Sequence, residues 1–372
     1  MALTYLDHAA TTPMRQVAID AMLPFFTERF ANPSGSHRFA RDARRAIDEA
    51  RDEIAELIGV APGEVVFTGC GTEADNTVID GVAGLAVCPS AEHHAVLHPV
   101  EARDGLIVAV DTTGHVDLDR LAAALDDRTG VVSVMAVNNE VGTITDLGAV
   151  SRLVRERAPQ AVLHTDAVQS ACWLDLRTIA PLVDSLSLSA HKFGGPKGVG
   201  VLTIRDGVRV DPLMIGGGQE RERRSGTHNV AGIVAMVAAL AETDCLRARE
   251  TERLAALRDR LVDGLVASVD GVIETVGRDH KIAGSAHVCF DGVESESLLF
   301  LLDEAEVCAS AASACASGAM EPSHVLTAMG VDRSLAGGAL RMSLGHTTAE
   351  ADIDRALDVV VGSVERLRRV VA

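Results

Sequence analysis

Short apolar runs alternate with helical patterns between residues 64 and 204, and no other feature of the chain constrains its fold as strongly. The runs with strand character are EVVFTG, GVVSVMAVNNE, AVLHTDAVQS, DSLSLSAHK and GVGVLTI. Helical periodicity marks the stretch from Ser36 to Gly59, which ends in glycine, and the stretch from Leu147 to Arg157. Strands interleaved with helices predict an α/β fold with a mainly parallel sheet and helices on both faces.

The length of the chain favours either two domains or one large α/β domain with an appendage. It has 372 residues, of which 47% are apolar and 23% charged, as is typical of a globular protein. From about Val230 a long helical region leads into HVCFDGV, ESLLFLLDEAEV, GALRMSLG and a final helix after Thr348. We therefore expect a large domain up to residue 247, followed by a smaller α+β domain.

Charge and cysteine content exclude several classes of function. The formal net charge of -19 repels polyphosphate and argues against nucleic acid or an anionic membrane as a standing partner. The opening residues lack the pattern of a signal peptide, and no run of 18 apolar residues occurs, so a cytoplasmic location is expected. The seven cysteines are scattered without a C-x-x-C pair, which argues against a disulfide framework or a zinc site.

Polar residues follow the predicted strands of the large domain at the points where the strands end. Because ligands bind at the carboxyl ends of the strands in such sheets, these residues are expected to meet in one pocket. They are Thr72, Asn139, Asp166, Gln169, His191 and Lys192.

The glycine-rich segments near these strand ends do not match nucleotide-binding motifs. GCGTEADN lacks the third glycine of a dinucleotide fingerprint, and GGPKGVG lacks the Ser or Thr of a Walker A loop. A pyridine ring with a phosphate tail needs an acid at its ring nitrogen, a lysine for a Schiff base and donors at a helix start. Asp166, Lys192 and the pair Gly71 and Thr72 offer that set, although Asp166 could be a helix cap and Lys192 a surface lysine.

Three further residues are candidates with structural alternatives. His93 could stack on a flat cofactor or be an ordinary polar residue. Cys315 lies in an Ala- and Ser-rich segment, Cys308 to Ser323, that predicts a mobile loop and favours a reactive rather than a structural thiol. Arg341 interrupts an apolar strand pattern, so it is either a clamp for a substrate carboxylate or part of a salt bridge.

The motifs of the chain, taken in order, resemble the NifS/IscS type of cysteine desulfurase, a pyridoxal-phosphate-dependent enzyme of the class V aminotransferase group with fold-type I. The resemblance runs from Tyr5 to beyond Thr348, and its motifs are YLDHAATTP, TEADN, EHHAV, NNEVG, HTDAVQS, SAHKFGGPKGVG, GGGQERERRSGT, SACASG, EPSHVL and LRMSLGHTT. It implies a large cofactor-binding domain over 16–247 and a small domain formed by 1–15 and 248–372.

The resemblance also implies a role for each matching position around pyridoxal 5'-phosphate. Lys192 matches the lysine that bonds to the cofactor, Asp166 the acid at the ring nitrogen, and His93 the histidine that stacks on the ring. Gln169 and Asn139 match residues near the phenolic oxygen. The phosphate contacts are matched by Gly71, Thr72, Ser189 and His191, and by Thr227 from the second subunit of a homodimer.

For the substrate, the resemblance implies that Arg341 and Asn139 bind L-cysteine and that Cys315 accepts its sulfur as a persulfide. The sulfur then passes to an acceptor protein, in iron-sulfur cluster assembly or another pathway, while the substrate becomes L-alanine. A selenocysteine lyase, a desulfurase dedicated to one pathway and an inactive sulfur-carrier scaffold are the alternatives. Turnover of selenocysteine without Cys315 would indicate the lyase.

Two features depart from the family pattern. Ala312 stands where the family commonly has glycine, and Ala316 where it has Ser or Thr, which could stiffen the loop. The segment between Asn76 and Glu92 is shorter than in the family, and Cys70 replaces a small residue. These departures bear on the rate and not on the class of reaction.

Overall fold

The computed structural model describes residues 3–311 and 323–371. In this part of the chain the strands are β1 (Thr4–Tyr5), β2 (Val65–Thr68), β3 (Leu85–Pro89), β4 (Leu106–Val108), β5 (Thr129–Ser133), β6 (Val162–Asp166), β7 (Ser185–Ser189), β8 (Gly200–Ile204), β9 (Val272–Glu274), β10 (Ser285–Phe290), β11 (Val307–Cys308) and β12 (Ala339–Ser343). The α-helices are α1 (Gln16–Met22), α2 (Pro24–Thr27), α3 (Arg38–Ile58), α4 (Gly71–Gly81), α5 (His94–Ala102), α6 (Leu118–Ala124), α7 (Leu147–Arg157), α8 (Leu176–Ile179), α9 (Val230–Ser268), α10 (Ser295–Glu304), α11 (His324–Ala328), α12 (Arg333–Ala336) and α13 (Glu350–Val371).

A seven-stranded sheet forms the centre of the larger half, with strand order β2-β8-β7-β6-β5-β3-β4. The pairs β7-β6, β6-β5, β5-β3 and β3-β4 are parallel, and β8 runs antiparallel to both of its neighbours. Helices pack on both faces of this sheet, because each face buries its own apolar cluster. The predicted α/β architecture with a mainly parallel sheet is therefore confirmed.

Residue chemistry at the helix ends explains why the helices begin and stop where they do. α3 starts at a His37 cap, whose Nδ1 accepts from the Ala40 N–H, and ends at Gly59 with φ 86°. A side chain at that φ would be strained, so glycine is the residue that can close the helix there. α4 and α7 begin in the same way, with Cys70 and Asp146 accepting from N–H groups of the first turn.

The smaller half contains an antiparallel sheet of order β12-β10-β9 and a parallel pair of β1 with β11. Leu6 packs into its core, so the chain's first strand belongs to the same apolar cluster as β10 and β12. The described residues contain no helix with the length and apolar character that crossing a membrane requires.

The 39-residue helix α9 connects the two halves without a break. Its first part, through Leu240, packs in the core under the large sheet, whereas Leu254 to Leu265 pack in the core of the smaller half. The domain boundary at residue 247 remains a prediction that falls inside this helix.

Two local expectations differ from the structure. The apolar run expected to form a strand as far as Asn139 is a regular strand only up to Ser133. Beyond it, the N–H groups of Val134 and Ala136 still bond to carbonyls of β6, but the ladder is irregular. Cys308, expected in a loop, ends β11 and is paired with Tyr5.

Candidate active site

A cavity of about 420 Å³ lies at the carboxyl ends of the parallel strands, where the sequence predicted a pocket. Ala9, Ala10 and Ser310 close one side of it with residues from the smaller half. The predicted site residues that line the cavity are Gly71, Thr72, His93, Asn139, Asp166, Gln169, Ser189, His191, Lys192 and Arg341.

Lys192 stands in a short 3₁₀ turn that follows β7 directly. Its Nζ donates to the carbonyl oxygens of Ala9 at 2.6 Å and Ala10 at 3.0 Å, which orients the amine within the cavity. Burial, together with the positive charge of Arg341, lowers the pKa of Lys192 to about 8. A larger fraction of this amine is therefore neutral near pH 7 than of an ordinary lysine, which favours nucleophilic and proton-accepting chemistry.

Asp166 is the last residue of β6, and its side chain is buried at the floor of the cavity. One carboxylate oxygen accepts from the Val168 N–H at 2.8 Å, so the side chain is fixed by its own turn. Burial and the nearby carboxyl group of Asp75 raise the pKa of Asp166 to about 6, while the neighbouring His93 acts in the opposite direction. Such a carboxylate can hold a proton on a basic ring nitrogen.

A buried hydrogen-bond network beneath Asp166 was not anticipated from the sequence. Asp75 on α4 accepts from the Ser187 hydroxyl at 2.5 Å, and its Oδ1 lies 3.1 Å from His164 Nε2. His164 Nδ1 in turn lies 3.1 Å from the Ser185 hydroxyl. The Ser-Leu alternation of β7 was the available signal, because every second side chain points to the same face.

His93 caps α5 through Nδ1, which accepts from the Ala95 N–H at 3.1 Å. Solvent reaches the ring through the cavity, yet desolvation by the surrounding protein lowers the pKa of His93 below its usual value. Next to it Glu92 is fully buried, one carboxyl oxygen accepting from the Met135 N–H at 2.6 Å, and burial raises its pKa well above the ordinary range. The lowered pKa favours the neutral form of the His93 ring, which lines the cavity.

The start of α4 forms a cradle for an anion. The free N–H groups and partial positive charge of a helix N-terminus attract phosphate. At Gly71 a Cβ would lie 2.7 Å from Val168 Cγ2, so glycine is the residue that lets the helix start approach Val168 this closely. Thr72 and His191 add a hydroxyl and an imidazole to the same part of the cavity, His191 Nδ1 being 3.1 Å from the Thr11 hydroxyl.

Arg341 comes from β12 of the smaller half and is buried. Its Nη1 donates to the Asn139 carbonyl at 3.0 Å, and its Nη2 forms an ion pair with Asp7 at 2.7 Å. Both readings drawn from the sequence, a clamp that faces the pocket and a salt bridge, are therefore compatible with its position. Gln169 donates through Nε2 to the Ala9 carbonyl at 2.8 Å, the carbonyl that Lys192 also contacts.

Among the described site residues, Thr227 does not line this cavity. Thr227 is exposed and lies in the segment between β8 and α9. Cys315 lies outside the described residues, and so do Ala312 and Ala316. Lys197, the lysine of GGPKGVG, is exposed.

The residues of the cavity fit a pyridoxal phosphate molecule. The side-chain oxygen Oδ1 of Asn139 is buried without a hydrogen-bond partner among the described residues, which indicates room for a polar ligand. The cavity wall also contains the amine of Lys192, the carboxylate of Asp166 and the N-terminus of α4, which are the groups that this cofactor requires.

Comparison with known proteins agrees with the fold. Residues 4–356 match the model of the family "Aminotransferase class-V". The chain is 42% identical over 378 residues to "Cysteine desulfurase IscS" of Dictyoglomus turgidum, an alignment that covers 98% of this chain and 95% of that protein.

Solved structures show the same likeness. A NifS-like protein superimposes with a TM-score of 0.91 at 33% identity, covering 98% of this chain and 100% of the other. A structure titled "SspA in complex with cysteine" superimposes with a TM-score of 0.79 at 30% identity, covering 92% of this chain and 98% of the other.

The fold and the site define an enzyme of fold-type I whose class depends on pyridoxal phosphate. Within that class, the chain belongs to the class V aminotransferase family and to its cysteine desulfurases of the NifS/IscS type.

Proposed function

We propose that this enzyme binds pyridoxal 5'-phosphate in the cavity, converts L-cysteine into L-alanine and transfers the sulfur to Cys315 as a persulfide. The observation that carries the proposal is that Lys192, Asp166 and Arg341, from two halves of the molecule, line one cavity. The persulfide sulfur would then pass to an acceptor protein of iron-sulfur cluster assembly or of another sulfur pathway.

Each cofactor group has a proposed partner. The N-terminus of α4, with Gly71 and Thr72, would bind the phosphate together with Ser189 and His191. Asp166 would hold a proton on the ring nitrogen, and His93 would stack on the ring. Gln169 and Asn139 would contact the phenolic oxygen. Pyridoxal phosphate, when bound, supplies an electrophilic carbon for the substrate amine and a sink for the electron pair released at the α carbon.

Lys192 is the proposed base. Its Nζ has two backbone carbonyls as hydrogen-bond acceptors, those of Ala9 and Ala10, which keep the amine in place while it takes a proton from the substrate. A pKa near 8 suits that task, because the amine can both accept and return a proton near neutral pH.

Arg341 is the proposed partner of the substrate carboxylate. A guanidinium that is already fixed at Nη1 and Nη2 loses little freedom when a carboxylate arrives. The relative solved with cysteine supports L-cysteine as the substrate.

Cys315 is the proposed sulfur acceptor. Its thiolate attacks the substrate sulfur, the carbon–sulfur bond breaks, and the carbon takes up a proton. One L-cysteine and one enzyme thiol thus become one L-alanine and one enzyme persulfide. This role rests on the family motif at that position.

A homodimer is proposed as the active form, with Thr227 completing the phosphate site of the second subunit. Support comes from the segment that carries Thr227, where the apolar side chains Leu213, Met214 and Ile215 are 48%, 42% and 88% exposed. An apolar patch of this kind marks a contact surface.

The test is an absorbance spectrum of the purified protein, followed by addition of L-cysteine and assay of alanine and sulfide. We expect a yellow protein that forms alanine, loss of the visible band in Lys192→Ala, and loss of alanine formation in Cys315→Ser. Lys197→Ala is the matched control and should behave like the wild type.

Two results would contradict the proposal in different ways. A colourless protein that cannot be reconstituted with pyridoxal phosphate would exclude the cofactor. A yellow protein whose Cys315→Ser variant still forms alanine from selenocysteine would identify a selenocysteine lyase.

A further inference from the structure

The guanidinium of Arg341 is bound by Asp7, a carboxylate outside the cavity wall. Arg341 is 6% exposed, and its Nη2 reaches an oxygen of Asp7 at 2.7 Å, which is the length of a strong charge-assisted hydrogen bond. Arg341 lines the cavity, whereas Asp7 is not part of the cavity wall. The carboxylate therefore contacts the guanidinium from a direction that leaves its cavity side available.

The backbone around Asp7 is fixed to the strand that carries Arg341. Asp7 forms a parallel bridge with Ser343, two residues beyond Arg341 on β12. The Ser343 N–H donates to the Leu6 carbonyl at 2.7 Å, and the Ser343 hydroxyl accepts from the Ala9 N–H at 2.8 Å. Leu6 and Ala9, on either side of Asp7, are thus both bonded to Ser343, so the position of the Asp7 backbone follows that of β12.

Because Arg341 is a buried cation, its ion pair with Asp7 matters for the orientation of the guanidinium. A buried guanidinium without a counter charge is costly, and an arginine with only one fixed nitrogen can rotate away from a substrate. Asp7 fixes Nη2 and the Asn139 carbonyl fixes Nη1, so two separate elements define the plane of the guanidinium. That plane determines how a carboxylate can bind to the remaining N–H groups.

We propose that Asp7 is a positioning residue that orients Arg341 for the α-carboxylate of the amino acid substrate. The inference rests on the proposed role of Arg341 in substrate binding. The hydrogen bond from Arg341 to Asp7 acts on the binding of the substrate carboxylate, so its loss should affect KM more than kcat.

The experiment uses the cofactor-loaded enzyme and compares Asp7→Ala and Asp7→Asn with the wild type. KM and kcat are measured with L-cysteine, and the Kd of L-alanine is measured from the change in cofactor absorbance. We expect Asp7→Ala to raise both KM and Kd about tenfold or more, the equivalent of one charged hydrogen bond, with kcat changed less than about threefold. Asp7→Asn keeps an oxygen acceptor for Nη2 and should fall between Asp7→Ala and the wild type.

A double-mutant cycle separates positioning from general destabilisation. In an Arg341→Gln background, Asp7→Ala should raise the Kd of L-alanine no further, because the residue through which it acts is gone. Asp20→Ala, which removes an exposed carboxylate from α1, is the control and should leave KM and Kd unchanged.

The outcomes distinguish failure of this inference from failure of the proposed function. If Arg341→Gln leaves the Kd of L-alanine unchanged, Arg341 does not bind the substrate and the proposed substrate site is wrong. If Arg341→Gln weakens binding while Asp7→Ala does not, only the role of Asp7 is wrong. An equal loss from Asp7→Ala in both backgrounds would also overturn positioning, and Asp7→Asn provides the same comparison if Asp7→Ala does not fold.

Discussion

Asp75 shows how burial changes the chemistry of a single side chain. Its carboxyl group is 1% exposed, and burial raises its pKa to about 7, although the hydrogen bond from Ser187 works against this increase. Burial also lowers the pKa of His164, its second partner, to about 4, so the imidazole is neutral at pH 7 and brings no full counter charge. The ionised form of Asp75 is therefore unfavourable in the folded protein.

This has a measurable consequence for stability. The pKa of Asp75 is about 7 in the folded protein and about 3.9 in the unfolded chain, so the folded state retains the proton longer. Asp75 therefore lowers the free energy of unfolding as the pH rises from about 4 to about 7, whereas the depressed pKa of His164 raises it over the lower part of this range. Between these two pH values, the free energy of unfolding of Asp75→Asn should change relative to that of the wild type by about 1.4 kcal/mol or more in the stabilising direction, the equivalent of one pKa unit. Urea unfolding of the cofactor-free protein at both ends of this range provides the measurement.

The control is Asp80→Asn, an exposed position on the same helix, which should show the wild-type dependence on pH. Parallel curves for Asp75→Asn and the wild type would show that Asp75 is already ionised at low pH in the folded protein.

Functional candidates could be predicted from the sequence where the residue type is unusual for its position. Residues of an ordinary type for their position were not predicted. Lys192 at a strand end and Arg341 within an apolar strand stand out, and both line the cavity. Asp75 and Glu92 look like surface carboxylates, because nothing in a single sequence shows which face of the helix or turn is buried. Asp7 was missed for another reason, since its partner is 334 residues away along the chain.

At the scale of elements, the start of α4 lies close to Val168, in the turn after β6, and this approach shapes the anion cradle. A Cβ at Gly71 would come within 2.7 Å of Val168, so either the helix or Val168 must move. Since overpacking typically shifts the backbone, Gly71→Ala should move the helix start away from the phosphate site.

We expect Gly71→Ala to weaken the binding of pyridoxal phosphate by about tenfold, or about 1.4 kcal/mol, as measured by equilibrium dialysis of the reconstituted protein. Gly63→Ala is the matched control, because a Cβ there would meet no atom within 4 Å. Unchanged cofactor affinity in Gly71→Ala would show that the Val168 side chain moves to accommodate the new Cβ and that the helix start stays in place.

Periodicity predicted most elements but not their pairing. α3, α7, β6 and the helix after Thr348 lie where the pattern placed them. The antiparallel direction of β8 could not be foreseen, because apolar runs look the same in either direction. β5 ends as a regular strand at Ser133 although the apolar run and its hydrogen bonds to β6 continue, so the apolar pattern does not show where the ladder becomes irregular.

At the scale of the whole molecule, the proposed homodimer predicts that two inactive variants can complement each other in a mixed dimer. If Thr227 serves the site of its partner, a mixed dimer of Lys192→Ala with Thr227→Ala contains one site with both residues intact. Two impaired variants should therefore regain activity when co-expressed, to roughly a quarter of the wild-type value for random pairing. Alanine formation by the purified mixture measures this recovery.

The matched control is co-expression of Lys192→Ala with Asp166→Asn. Lys192 and Asp166 line the same cavity of one chain, so every site in that mixture carries a defect and activity should stay low. No recovery in the Thr227→Ala mixture would mean that Thr227 acts within its own subunit or is not needed.

Helix α9 is continuous and packs in the cores of both halves of the molecule, so a bend in it would move one half relative to the other. From residue 247 to its end at Ser268 it extends about 30 Å, at 1.5 Å per residue. A bend of about 5° near residue 247 would move the far end by about 2.6 Å, within the range over which long helices curve. The sheet that carries Arg341 packs on that far part of the helix. A slight bend of one continuous helix would thus change the distance between Arg341 and the large sheet by ångströms.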